Sequence, residues 1–367
     1  MDTNIDNKPR ITKETKNKIK VEFDRTPLKE RLKARFLNLY FLGNVIWYIF
    51  RLVLLIGISY VVLFPFFTKI AGSFMSPEDF VDVTVRLVPK NFTLDTYKAV
   101  LFELNYFKAF GNTFLLAFSS ALLQTFVCCL VGYGLAKFRF RGNKLVFLMV
   151  VLTMVIPHQT IQYAMYMHFR YFDIWGILSF LSGGASVGID AIDAVLSSIK
   201  LLTFEEGEHT LILLNTFWPM IILSATGLGF KNGLYVFMLR QFFTGVPDAL
   251  EESAYIDGSG VVRTFFTIIL PLSIPMMVTV FLFAFCWQWT DNFYTELFFT
   301  DPEKLLMMPK IVEIPASLET DYPGQNMYYS AIKNTCGICI IAPLVILYLF
   351  CQKFLVQGIE RSGLTAD

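Results

Sequence analysis

Charge is scarce in this sequence, and histidine is scarcer. Asp, Glu, Lys and Arg together make up 17% of the 367 residues, against about 25% in soluble domains. Only three histidines occur, at 158, 168 and 209, too scattered for a metal centre, and no His-Glu-x-x-His zinc pair exists. Also missing are a Gly-x4-Gly-Lys-Ser/Thr phosphate loop and a Gly-x-Ser-x-Gly nucleophile elbow. The chain is therefore expected to bind no ATP or other cofactor by itself, to hold no metal and to catalyse nothing. A net charge of +1 gives no reason to expect a nucleic-acid partner.

What fills the space is apolar. Hydrophobic residues reach 55% and phenylalanine alone numbers 38. The charges are clustered, which leaves runs of about 20 apolar residues, enough to cross a bilayer as helices. An all-α polytopic membrane protein is predicted, with spans over 45–71, 109–136, 145–167, 211–240, 271–290 and 335–355. Pro157 and Gln159 interrupt the third, and Gly227, Gly229 and Gly233 the fourth. The six cysteines fall in or beside spans. Cys336-x-x-Cys339 has no second pair or nearby histidine, so it reads as two small buried residues.

Residues 1–44 form a basic extension, with eleven Lys or Arg against six Asp or Glu over the first forty positions. Its tip is expected to be disordered. Leucines alternating with Lys29, Arg31, Lys33 and Arg35 over 28–40 suit an amphipathic helix on anionic membrane lipid, or equally a solvated helix before the first span. Basic residues also gather at 137–144. Placing the N-terminus, 137–144, the 241–270 loop and the 358–367 tail on one side puts most Lys and Arg there, and the positive-inside rule makes that side cytoplasmic. Six helices with both termini inside satisfy it.

The most informative stretch lies between the fourth and fifth spans. Pro247 suits the first turn of a helix and Gly258 the left-handed residue that ends one. The intervening residues include Glu251, Glu252, Ser253, Ala254 and Asp257. Two short helices meeting at Asp257-Gly258-Ser259-Gly260 would make a compact plug. Small residues would allow close approach, and the carboxylates could take charge-assisted bonds from a partner's arginine. Pro271 then marks entry into the fifth span. A plain connector is the competing reading.

The spacing Glu252-x-Ala254-x3-Gly258-x9-Ile268-x-Leu270-Pro271 resembles the EAA motif of ABC-importer permeases, with Ser253 in place of the first alanine. Other stretches are similar to carbohydrate-uptake permeases of the maltose-transporter type: Asn112-Thr113, Tyr133-Gly-Leu-Ala-Lys137, Met154-Val-Ile-Pro157, Leu239-Arg-Gln-Phe-Phe243, Trp289-Thr-Asp-Asn-Phe293 and Phe354-Leu-Val-Gln-Gly358. The ending most resembles the G-type subunit of that pair. The resemblance covers 45–362. It implies a six-helix permease, a coupling helix that docks a separate ABC ATPase dimer, a second permease subunit, an extracellular solute-binding protein and a carbohydrate cargo, with a prokaryotic cell membrane as location.

Under that resemblance, Glu252 is the expected partner of an ATPase arginine, while Ala254 and Gly258 set the fit. Sugars bind to aromatic faces and amides, so Trp287, Gln288, Trp289 and Asn292 on the fifth span, with Asn215 on the fourth, are the candidate substrate path. Trp also anchors helices at membrane interfaces, which competes with that assignment. The segment 176–210 departs from the family pattern and reads as an external insertion. A stand-alone channel or secondary transporter would call for mid-span carboxylates or an inverted repeat, and neither is evident. A polyol, a glycerol phosphate or a polyanionic sugar remains open as cargo.

Overall fold

The computed structural model describes residues 10–14, 20–24, 39–172, 212–229, 231–321 and 325–363. The chain divides into two units, Met1–Lys69 and Ile70–Asp367. In the first, strands β1 (Arg10–Glu14) and β2 (Lys20–Asp24) pair antiparallel, with Arg10 opposite Asp24 and Glu14 opposite Lys20. The basic extension thus contains a hairpin, and the tip expected to be disordered, residues 1–9, lies outside the described residues. Most of the amphipathic helix expected over 28–40 lies outside the described residues, as does the insertion at 176–210. Helix α1 (Leu39–Gly72) follows. Its predominantly apolar 30-residue segment from Gly43 to Gly72 rises about 45 Å, more than a ~30 Å hydrocarbon layer requires.

The second unit is built on α3 (Tyr106–Lys137), which the short α2 (Asp95–Phe102) precedes. One side of α3 is lined by small buried residues: Ala109, Ala117, Ala121, Cys128, Cys129 and Gly132. Small side chains let helix backbones approach where apolar lipid provides no drive to associate. The closest approach is at Gly132, where an added Cβ would sit 2.9 Å from Leu239 Cβ and 3.0 Å from Arg240 N. Leu239 and Arg240 belong to α7 (Asn232–Thr244).

The third predicted span is a bent pair. Helix α4 (Asn143–Val155) stops before Pro157, and the chain resumes over His158–Arg170, which includes α5 (Gln162–Arg170), at an angle of 92°. Pro157 supplies no N–H and disfavours helix at Ile156, which is extended. The fourth predicted span is also split, into α6 (Trp218–Ala225) and α7. Gly227 between them takes φ +75°. Near this break, Gln124 Nε2 donates to Ser224 Oγ at 3.2 Å.

After α7 come α8 (Ala249–Ile256) and α9 (Val261–Thr264). A π turn at Phe265–Ile269 joins α9 to α10 (Leu270–Trp289). The fifth span therefore begins at Val261, ten residues before the predicted start. Pro271, which marks entry into the fifth span in the sequence, lies inside the helix, although proline cannot donate to the preceding turn. Here the ladder is rephased just before it, with Leu270 N–H donating to Phe265 O, so the helix continues through Pro271 and Pro275. Helices α11 (Phe293–Phe298) and α12 (Gln325–Gly363) complete the unit.

Among the described residues, four helices are long and apolar enough to cross a membrane, or five crossings if the bent pair forms one. Aromatic side chains join α3, α10 and α12. The Trp289 indole N–H donates to Ile340 O at 2.9 Å, and the Tyr106 hydroxyl to Cys339 O at 2.9 Å. At the same end of the bundle, Asn112 Nδ2 donates to Leu306 O, and Thr113 Oγ1 accepts from Met308 N–H. This pair, singled out by resemblance, thereby holds the loop after α11 onto α3.

Candidate functional site

The first candidate site is the α7–α10 connection, where α8 stands as an element with fixed ends. Its N-terminus is set by Asp248, whose carbonyl accepts the Glu251 and Glu252 N–H groups. Pro247 precedes the N-cap Asp248 and is two residues before the first helical residue, rather than in the first turn. Glu251 and Glu252 lie in that first turn, where negative charge offsets the exposed N–H groups. The C-terminus closes with Gly258 N–H donating to Tyr255 O and Ser259 N–H to Ala254 O, with Gly258 at φ +79°. That is the Schellman closure, and only glycine adopts this φ without strain.

The two faces of α8 differ. Ala254 and Glu251 are buried against the bundle. Glu251 turns toward Tyr133, whose ring packs on Phe243 and Phe265 at 5.5 and 4.8 Å. Neither Glu251 Oε1 nor the Tyr133 hydroxyl reaches hydrogen-bond geometry with any described residue. Glu252, Ser253, Asp257 and Gly258 are exposed. Beside them, Leu250, Tyr255, Ile256 and Val262 are exposed too, Ile256 to 85% and Val262 to 70%. The sequence reading missed these four apolar residues, because it weighed the loop by its carboxylates. The signal was present as an aliphatic residue on each side of the Gly258 turn.

The second half of the plug differs from expectation. No independent short helix follows Gly258; α9 is the first turn of a span that runs on to Trp289. The plug is therefore continuous with the membrane helix. At its other root, the buried Lys137 Nζ donates to Val246 O at 2.6 Å and pairs with Asp248 Oδ1 at 2.6 Å. The Lys137 ammonium hydrogen-bonded to it holds the Asp248 carboxyl below its usual range.

The second candidate site is an open recess of about 350 Å³ lined by Lys231, Trp287, Thr290, Asp291, Asn292 and Phe293. Of the five predicted substrate-path residues, Trp287 and Asn292 line it. Gln288 is buried on the adjoining face of α10. Trp289 is fully buried, with its N–H spent on Ile340 O and its ring near Phe110 and Phe285. Asn215 lies in the loop before α6, where its Oδ1 accepts Asp301 N–H at 2.9 Å and its N–H donates to Phe298 O at 2.8 Å.

Lys231 went unnoticed in the sequence, hidden by the glycines around it. Its Nζ lies 4.5 Å from the centre of the Trp287 ring, a cation–π distance. Behind the recess, the Tyr294 hydroxyl and His158 Nδ1 are 3.0 Å apart. Asp291 Oδ2 accepts the Tyr294 N–H at 3.0 Å, and burial pushes the Asp291 carboxyl up to about 6.

A split and kinked set of helices around a long central one, with a capped helix projecting from the loop before α10, is the framework of a binding-protein-dependent permease. The chain belongs to the family described as binding-protein-dependent transport system inner membrane component, whose model matches residues 129–361. It is accordingly a non-catalytic, multi-pass membrane subunit of a transport system.

Its relatives carry sugars in their names. It is 25% identical over 301 residues to the polygalacturonan/rhamnogalacturonan transport system permease protein YtcP of Bacillus subtilis (strain 168), covering 80% of this chain and 89% of that one. It is 24% identical over 273 residues to the maltodextrin transport system permease protein MdxG of the same organism, covering 74% and 81%. Among solved structures, a chain of a bacterial ABC transporter involved in import of the acidic polysaccharide alginate superposes with a TM-score of 0.59 at 17% identity. That match covers 85% of this chain and 97% of that one, and the likeness is one of fold.

Proposed function

We propose that the chain is one of two permease subunits of an ATP-driven ABC importer for a carbohydrate, specifically an oligosaccharide. In this reading it crosses the membrane six times with both termini in the cytoplasm. The α4–α5 pair is the third crossing and the α6–α7 pair the fourth. A second permease would complete the path, an ABC ATPase dimer would power it and an extracellular solute-binding protein would deliver cargo. Relatives named for polygalacturonan and maltodextrin transport support the cargo class.

The observation that carries the docking assignment is the amphipathic outer face of α8. Exposed Ile256 and Leu250 can enter an apolar cleft while Glu252 meets a guanidinium at its rim. The sequence contains no phosphate loop of its own, so in this reading ATP is bound and hydrolysed by a partner. ATP-driven closure of the ATPases would shift α8, and two rigid links would carry that shift inward. One is the unbroken helix from Val261 to Trp289. The other is the Lys137 clamp onto Val246 and Asp248 at the end of α3. A ligand that favours one arrangement of these helices then shifts the access equilibrium.

The test is oligosaccharide uptake into proteoliposomes containing the assembled complex, with the ATPase intact or disabled at its catalytic carboxylate. Uptake is expected only with the intact ATPase. Uptake that persists with the disabled ATPase and follows an ion gradient would make this a secondary transporter and end the importer reading.

A further inference from the structure

Three helix breaks converge on one place. The α4–α5 break contributes His158, the α6–α7 break contributes Lys231, and the break after α10 contributes Thr290, Asp291 and Asn292. His158 and Tyr294 tie the first break to the third at 3.0 Å, and Lys231 on Trp287 ties the second to the third at 4.5 Å. Non-helical backbone at membrane depth persists where it is buried in protein or lines a polar cavity. In the six-crossing reading Lys231 falls between α6 and α7, the two halves of the fourth crossing, and so at such a depth, about 20 Å along the helix from Thr244 in a ~30 Å hydrocarbon layer. A lysine there costs about 2.5–3.5 kcal/mol on insertion scales, and an intramembrane cation is a functional candidate for that reason.

We propose that this recess binds the carboxylate of an acidic sugar, a uronate unit of an oligosaccharide, with Lys231 as the anion-binding residue and Trp287 as the stacking surface. The proposal rests on the carbohydrate-importer reading and narrows its cargo. A neutral sugar hydroxyl takes a single ion–dipole hydrogen bond from an ammonium, whereas a carboxylate adds the attraction of a full opposite charge, which strengthens further away from bulk water. The acidic group of the recess, Asp291, is turned into the N-terminus of α11, where it accepts the Tyr294 N–H. Trp287 is 38% exposed and Asn292 is exposed beside it. The ring and the amide can therefore meet the apolar face and hydroxyls of the same sugar. The volume of about 350 Å³ falls at the small end of ligand sites, which suits a short segment of chain passing through. A sugar phosphate would offer the same negative charge, so the experiment must separate the two.

The assembled complex with its binding protein, in proteoliposomes, would be assayed for uptake of short galacturonate, glucuronate and mannuronate oligomers, maltodextrins and hexose phosphates. Wild type, Lys231→Gln and Lys231→Arg would be compared. At least one uronate oligomer is expected to be a substrate. Its KM should rise about tenfold or more in Lys231→Gln, with kcat changed less than about twofold, and Lys231→Arg should recover most of the affinity. An unchanged KM in Lys231→Gln, or an equal loss in both variants, overturns the assignment. ATP-dependent uptake confined to maltodextrins or hexose phosphates overturns the carboxylate site and leaves the importer reading standing. ATP-independent uptake of any of these probes overturns the importer reading on which the site depends.

Discussion

Lys137 and Asp248 are paired at 2.6 Å, and the lysine is the buried member: its side chain is 6% exposed, the aspartate's 72%. The same ammonium also holds Val246 O. The lysine is therefore the structural end of the link, and the aspartate is its replaceable surface partner. Asp248→Asn retains the bond to the carbonyl and should reduce coupled ATPase activity by less than about twofold. Lys137→Gln loses the charge and the strong bond to the carbonyl of buried Val246, so it should lower coupling about fivefold or more at equal expression. Stimulation of ATPase activity by loaded binding protein, measured in both variants, checks this. The Asp248 carboxyl is held below its usual 3.8. Its contribution is complete above that value and fades only as pH falls through the lowered one. Coupling through this pair should then be flat between pH 5 and 8.

Glu251 and Glu252 are adjacent in the chain and opposite in role. Glu252 is exposed and Glu251 is buried beneath α8. Glu252→Arg should abolish co-purification of the ATPase while the two permeases remain assembled. Glu251→Gln keeps the shape and removes a charge that faces Tyr133, so ATPase binding should change by less than about threefold. Ile256→Asp should match Glu252→Arg, because a carboxylate cannot enter the apolar cleft that Ile256 would fill. Pull-down of the ATPase at matched permease levels reads all three. If Glu251→Gln releases the ATPase and Glu252→Arg does not, the outward face has been misassigned.

Gly132 sets the distance between α3 and α7. An added Cβ would lie 2.9 Å from Leu239 Cβ and 3.0 Å from the Arg240 backbone nitrogen, and the latter cannot rotate away. Gly132→Ala should destabilise the detergent-solubilised protein by about 1–3 kcal/mol, and Gly132→Val by more. By contrast, alanine at Gly337, which has nothing within 4 Å, should leave the melting temperature within a degree or two. A melting series over these three variants tests the packing directly.

Much of the architecture could be read from apolar run length, because a helix that must satisfy its backbone inside lipid leaves few alternatives. The spans at 45–71 and 109–136 match α1 and α3 within a few residues, apart from the longer start of α1. Proline and glycine located the breaks in the third and fourth spans. They misplaced the start of the fifth, since the π turn that lets the helix pass Pro271 depends on three-dimensional packing and leaves no trace in a proline count. The helix around Glu252 was legible from its start and stop signals. Which carboxylate faces outward was legible only through the family resemblance, which points to Glu252; the residues alone do not say that Glu251 and Ala254 are the buried pair. Lys231 was illegible for a related reason: a single cation among glycines gains meaning only when the fold brings Trp287 beneath it.

Asp291 makes the closing case, because its burial has a sign that can be measured. Its carboxyl lies in the break after α10, and burial raises it from 3.8 to about 6, against the opposing pull of backbone N–H groups including that of Tyr294. Between those two values the folded protein holds a proton that the unfolded chain has released. Stability therefore rises as pH falls from about 6 towards 3.8, and above about 6 the full cost of burying the ionised group is present. Asparagine can still accept the Tyr294 N–H without carrying the charge. Asp291→Asn should be more stable than wild type at pH 8 by up to about 3 kcal/mol. The advantage should shrink below pH 6 and vanish near pH 4. Melting curves of both proteins in the same detergent from pH 4.5 to 8 decide the matter. Parallel curves would mean that the carboxyl sits in solvent at its ordinary value, and the recess would then carry a negative charge beside Lys231 at every pH in that range.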